Sequence, residues 1–324
     1  MDDGGNAAAG PAWEHGSGLF PCMSSAAASI ITGVALVATR YVVMQADGLT
    51  VATLRYCVAA TCLLPLAAVF YGFKVAKNDF FSIAMLGILY FCVFPWCIST
   101  AMQFTTASSG AIVLACTPAV TLVLATLWGS EIWTARKWAG VILAILGAAI
   151  AIGGTAAELS ATGWLGHVLM ILATVCGAGY AVFSKPYLSK YPPVIVTAIA
   201  MGAGAATLVA LWLIWDAPPK MPHLNGMGWL VILYIGTVGG ALSFFLYAWA
   251  LGRTAPTATM ILLPLNPVAA IISGVIFLGE PLNPGLFIGL AFVVIGIVLV
   301  VKTRHGTRSR VVVEAKVTHE VPPA

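Results

Sequence analysis

Ionisable chemistry is sparse in this chain: 15 Lys and Arg, 11 Asp and Glu and 5 His are spread over 324 residues. Three cations, Arg40, Arg55 and Lys185, fall in or at the edges of apolar stretches. A cation there either reaches for the polar interface along its apolar stem, or faces a hydrated cavity and attracts an anionic group such as a carboxylate. Arg40 is the candidate for the second role. Glu131 and Glu280 each follow an apolar run. Negative charge there suits the N-terminus of the helix that comes next, so both are read as capping or gating groups. His167, in another apolar run, is a helix-packing donor or a proton shuttle, and packing is the commoner use. No carboxylate falls deep inside an apolar run, so no buried proton relay is visible.

Neutral groups fill out the candidate set. Gln103, Thr117, Ser243 and Asn266 can hydrogen-bond a solute, and Tyr90, Trp96, Tyr180 and Tyr247 can wall an aromatic cavity. Pro95, Pro118, Pro264 and Pro267 interrupt apolar runs. Each leaves a carbonyl one turn back without its donor, which makes Pro118, Pro264 and Pro267 hinge candidates and the freed carbonyls potential ligands. Covalent catalysis has no counterpart here: there is no HExxH, GxSxG or phosphate-cradling P-loop. The seven cysteines are odd in number, form no CxxC and sit in or beside apolar runs, as free thiols packed like small hydrophobes would. No catalytic residue, metal or cofactor is expected.

Composition sets the medium that must hold these groups. Hydrophobic residues make up 60% of the chain and charged ones 8%, with a net charge of +4. A soluble domain carries about 25% charged residues. The composition excludes an ordinary cytosolic enzyme, a nucleic-acid binder and a disordered chain, and it demands a lipid bilayer as solvent. Apolar runs recur at about 22–45, 50–72, 80–102, 107–128, 136–154, 163–184, 193–215, 227–249, 256–278 and 284–301. They are long and continuous rather than alternating, so they read as ten helices and not as barrel strands. An intracellular N-terminus puts twelve Lys and Arg on the inner side and three, Arg40, Arg55 and Lys220, on the outer. Both termini are therefore expected in the cytosol.

The chain also matches itself. At an offset of 149 residues, Gly87, Ala101, Thr105, Ile112, Pro118, Glu131, Gly140 and Gly147 meet Gly236, Ala250, Thr254, Ile261, Pro267, Glu280, Gly289 and Gly296. Nearer the start of each half the offset drifts to 145, pairing Thr39-Arg40 with Ser184-Lys185. Five helices per copy is an odd number, so the second copy must enter the membrane from the opposite side. Inverted repeats of this kind let two halves exchange conformations around a midplane site. The expected division is a cytosolic tail over 1–21, repeats over 22–154 and 163–301, and a basic cytosolic tail over 302–324. Gly140 and Gly147 in the fifth span, with Gly285, Gly289 and Gly296 in the tenth, predict close packing of those two helices behind the working ones.

Several stretches, in this order and in duplicate, resemble the EamA family of the drug/metabolite transporter superfamily. They are Gly33 through Thr39-Arg40, Ala52-Thr53-Leu54-Arg55-Tyr56, Ala107-Ser108-Ser109-Gly110-Ala111 leading to Thr117-Pro118, and Ser130-Glu131. The second copy supplies Asn266-Pro267 and Gly279-Glu280-Pro281-Leu282. The resemblance covers about residues 24–301. It implies an all-α polytopic fold of ten helices in two inverted five-helix repeats, in the cell membrane, for a bacterial protein the inner membrane. It further implies export of small metabolites, often amino acids or related compounds; the inverted repeat makes the exporter a secondary carrier, expected as a monomer or homodimer. Efflux of a drug or lipid-like amphiphile on the same fold, or a channel, are the alternatives.

Overall fold

The computed structural model of the chain describes residues 19–72, 75–129, 134–152, 161–215, 222–251 and 262–299. Among them there are ten membrane-type helices and no strand. These are α1 (Leu19–Val43), α2 (Gly48–Phe70), α3 (Lys77–Ala101), α4 (Ala107–Leu127), α5 (Ala135–Ile152), α6 (Ala161–Phe183), α7 (Pro193–Trp215), α8 (226–251), α9 (Leu265–Leu278) and α10 (Pro284–Leu299). Eight are long and apolar enough to cross a bilayer, and α9 and α10 are shorter apolar helices. The part of the ninth span expected over 256–261 lies outside the described residues. A short helix, Lys185–Lys190, follows α6 and was not expected from the sequence.

Local chemistry explains the boundaries. Asp47 caps α2 by accepting the Thr50 N–H at 2.9 Å, and Asn225 caps α8 by accepting the Gly228 N–H at 2.7 Å. Gly279 ends α9 at φ 63°, a left-handed conformation that a Cβ would strain. Large apolar side chains such as Ile145, Ile276, Phe277 and Ile288 stand exposed on the outside of the bundle. In water they would form one large greasy patch, whereas in lipid they are solvated.

The halves interdigitate about a pseudo-twofold relation. Helix α1 packs against α8 and α9 of the other half, and α6 packs against α3 and α4. These are the same pairings with the halves exchanged. Helix α2 lies on α7. Behind this core, α5 and α10 approach through glycine: a Cβ on Gly289 would fall 2.5 Å from the Gly147 carbonyl oxygen, and one on Gly296 2.6 Å from that of Gly140. The predicted close pairing is therefore formed by backbone-to-backbone contact.

Two helices carry a π-helical break, one beside the Pro95 that interrupts the third apolar run and one in α8 that no proline announces. In α3, Leu89–Val93 is π-helical, and the Phe94 N–H reaches back five residues to Leu89 O. In α8, Thr237–Leu242 is π-helical, and the Ser243 N–H reaches back to Val238 O. Phe94 and Ser243, like Leu89 and Val238, are related by the same 149-residue offset. Pro95 supplies a cause in α3, because its ring cannot share space with the carbonyl a turn back. In α8 the flexible pair Gly239-Gly240 lies inside the π segment.

Candidate functional site

At the end of the bundle that carries the α1–α2 turn, one carboxylate ties three helices together. Glu280, just past the Gly279 turn, is buried at 7% exposure. Its Oε1 accepts the Ala107 N–H at 2.7 Å, and its Oε2 accepts the Ser108 N–H at 3.1 Å and the Ser108 hydroxyl. The Arg40 Nε lies 3.4 Å from Oε1, and Arg40 Nη1 donates to the Met102 carbonyl at 3.3 Å. The first three N–H groups of α4, which have no partner within the helix, are thereby satisfied. Glu280 takes the first two N–H groups, the Thr106 hydroxyl oxygen takes that of Ser109 at 3.1 Å, and Thr106 O takes that of Gly110 at 3.0 Å. Gly274 makes room for the carboxylate: a Cβ there would lie 2.8 Å from Glu280 Oε2.

The expectation that Glu280 caps the next helix is corrected by this geometry. It caps a helix N-terminus, but that of α4, 173 positions earlier. The start of α10 is served by Asn283 Oδ1, which accepts the Gly285 N–H at 2.9 Å. Left-handed Gly279 turns the chain back toward the bundle and accounts for the change of partner. Glu131, the pseudo-equivalent of Glu280, lies outside the described residues.

At the core, Tyr90 and Tyr180 stack with ring centroids 4.4 Å apart and an interplanar angle of 14°. Phe94 stacks on Tyr90 at 4.8 Å, while Phe91 and Phe244 meet it edge-on at 5.0 and 6.4 Å. Tyr90 belongs to the α3 π segment, and Phe244 follows the α8 one. π segments recur at functional sites because they re-aim a side chain without ending the helix. Arg55, on α2, donates from Nη1 to the Thr39 hydroxyl at 3.2 Å and lies over the Tyr56 ring at 5.4 Å.

A cleft of about 630 Å³ opens toward the opposite end, between α3, α4, α6 and the short helix after α6. Met85, Thr121, Trp128, Phe183, Lys185 and Tyr187 line it. It is distant from the Glu280 clasp, and the Tyr90–Tyr180 stack lies one turn deeper along α3 and α6. Beside it, Asp79 accepts from Lys190 Nζ and, at 2.6 Å, from the Tyr191 hydroxyl, joining the start of α3 to the chain after α6.

The remaining candidates divide sharply. Tyr247 is half-buried near the aromatic group. Trp96 stands apart from the ring contacts at 42% exposure. Exposed Gln103 donates toward the Val43 and Ala46 carbonyls at 3.5 and 3.4 Å, which ties two loops. The Thr117 hydroxyl donates to Leu114 O, the very carbonyl that Pro118 frees. Pro118 follows a discontinuity at Cys116 between Ala107–Ala115 and Thr117–Leu127. Ser243 donates back to Gly239 O at 2.7 Å and Gly240 O at 3.1 Å. Asn266 Nδ2 donates to Thr32 Oγ1 at 2.9 Å, joining α9 to α1. Pro264 caps α9 and Pro267 occupies its first turn, so neither interrupts the described helix midway. His167 is fully buried.

A family model described as the EamA-like transporter family matches residues 19–153 and again 164–302. An uncharacterised transporter of Archaeoglobus fulgidus is 26% identical over 84% of this chain and 95% of its own. A protein of Streptantibioticus cattleyicolor named as a probable terminal-alkyne amino-acid exporter is 27% identical over 81% of this chain and 88% of its own. A solved crystal structure superposes with a TM-score of 0.61 at 15% identity, over 85% of this chain and 96% of that one, a likeness of fold.

Proposed function

Since the chain belongs to the EamA-like transporter family, we propose that this multi-pass membrane transporter is a secondary carrier. It exports small metabolites, amino acids or related amphipathic compounds, by alternating access. The observation that carries this reading is the asymmetry of the bundle. One end is drawn shut by a clasp with members from both halves, Arg40 and Ser108 from the first and Glu280 from the second. The other end holds an open cleft. A carrier caught with one side closed has this form.

The placement of Lys and Arg supports a cytosolic location for the cleft end. A solute would enter between α3, α4 and α6 and meet the aromatic group around Tyr90 and Tyr180. Rocking of the halves would then release the Glu280 clasp and open the far side. The paired π segments of α3 and α8 sit at pseudo-equivalent points and suit hinges for that movement. An amino-acid-like cargo is supported by the Streptantibioticus relative, which is named as a probable amino-acid exporter.

Counterflow in proteoliposomes tests the reading. Vesicles loaded with unlabelled amino acid should accumulate the labelled one transiently and accelerate its exchange. A channel shows no such acceleration, and a rate proportional to the gradient at all concentrations would overturn the carrier reading.

A further inference from the structure

Arg55 is the one part-buried guanidinium among the described residues for which no carboxylate partner is seen. Arg40 has Glu280. Arg55, on α2 beside it, has a neutral partner, Thr39 Oγ1, and the face of Tyr56. Its Nε has no accessible surface and no hydrogen-bond partner. Its side chain is half-buried, and its Cα lies about 10 Å along α2 from the helix start. Asp47, a carboxylate at this end, is exposed and already caps α2. A cation held away from water without an anion is costly, and membrane proteins place one where a ligand supplies the countercharge.

The surroundings define the rest of that ligand. The phenols of Tyr56, Tyr90 and Tyr234 lie within electrostatic reach of Arg55. From Tyr90 the aromatic surface extends on one side to the stacked ring of Tyr180 and on another to the edge of Phe244. A charged head beside Arg55 and a planar or apolar body along these rings fit one molecule. One free positive charge in an aromatic setting matches one negative charge. A phosphate dianion would bring a second charge with no partner.

We propose that Arg55 binds the carboxylate of the solute, with the Tyr90–Tyr180 group receiving its apolar body. The substrate class is an organic monocarboxylate, amino acids included, whose ammonium would lie against aromatic faces. This deepens the carrier reading and rests on it only for the claim that the bound molecule is cargo. It also assigns the two arginines different tasks, Arg40 to the clasp and Arg55 to the solute.

Thermal melting of the full-length protein in detergent measures binding without requiring transport. The probes are 3-phenylpropionate, its neutral amide and inorganic phosphate. The wild type should be stabilised saturably by the carboxylate, with affinity at least about tenfold above that for the amide, and not by phosphate. Arg55→Gln should erase that preference, and Arg55→Lys should keep part of it. Tyr90→Leu should weaken carboxylate and amide alike. If Arg55→Gln does not fold, the wild-type contrast together with Arg55→Lys still decides. Equal binding of acid and amide, no binding of either, or an unchanged preference in Arg55→Gln would each overturn the assignment. Carboxylate binding without counterflow would instead sink the carrier reading and leave the site standing.

Discussion

Replacing Glu280 by Gln removes one charge and keeps the volume of the side chain. In the closed end, Glu280 accepts two backbone N–H groups and a hydroxyl and pairs with Arg40. Charge-assisted bonds are roughly twice as strong as neutral ones. Removing one partner of a buried pair outright costs about 3–5 kcal/mol. The glutamine retains one acceptor oxygen, so we expect roughly half of that, about 2 kcal/mol, or about 30-fold in the closed-to-open ratio. The reporter is the protected helix end itself. Hydrogen exchange of the segment containing Ala107 and Ser108, followed by mass spectrometry in nanodiscs, should accelerate by about that factor. The start of α2, capped independently by Asp47, should not change. Protection at Ala107 and Ser108 within about threefold of wild type would refute the idea that this carboxylate holds the end shut.

Other perturbations probe neighbouring parts. Gly274→Ala places a methyl 2.8 Å from Glu280 Oε2, so it should loosen the same end without changing any charge, read by the same exchange measurement. Gly147→Leu would push against the Gly289 carbonyl 2.6 Å away; it should lower thermal stability by about 1–3 kcal/mol while leaving solute affinity in the melting assay unaltered. Pro95→Ala removes the ring that disfavours a regular α3. It should allow the π segment to relax, rotate Tyr90 off Tyr180, and reduce counterflow with little change in far-UV circular dichroism.

Much of the architecture is legible in the residues because the bilayer simplifies the problem. Long apolar runs must be helices, and an odd number per repeat must invert the second copy. The Gly140/Gly147 and Gly289/Gly296 stripes forecast the α5–α10 contact because small residues are what close approach requires. Partners across long sequence separations are a different matter. Glu280 is recognisable as a capping carboxylate, but its choice of α4 over α10 follows from the Gly279 turn and the missing Cβ at Gly274, which no periodicity encodes. Thr117 and Ser243 look like solute ligands in sequence, yet each hydroxyl donates to a backbone carbonyl of its own helix, for Thr117 the one that Pro118 frees. The π segments are nearly silent, since their signature is a Pro in one copy and a Gly pair in the other. Arg55 resembles an interface anchor until the partners of both arginines are known.

The claim beneath all of this is that the two ends of the bundle open in alternation. Spin labels can be placed on exposed positions across each end, with Cys22, Cys57 and Cys62 replaced. Gln103 and Leu282 report on the clasp end, and Phe81 and Phe183 on the cleft. Pulsed dipolar distances in nanodiscs should show two populations whose changes oppose each other, with Glu280→Gln lengthening the first distance and shortening the second. Distances that stay fixed, or that lengthen together, would contradict alternating access.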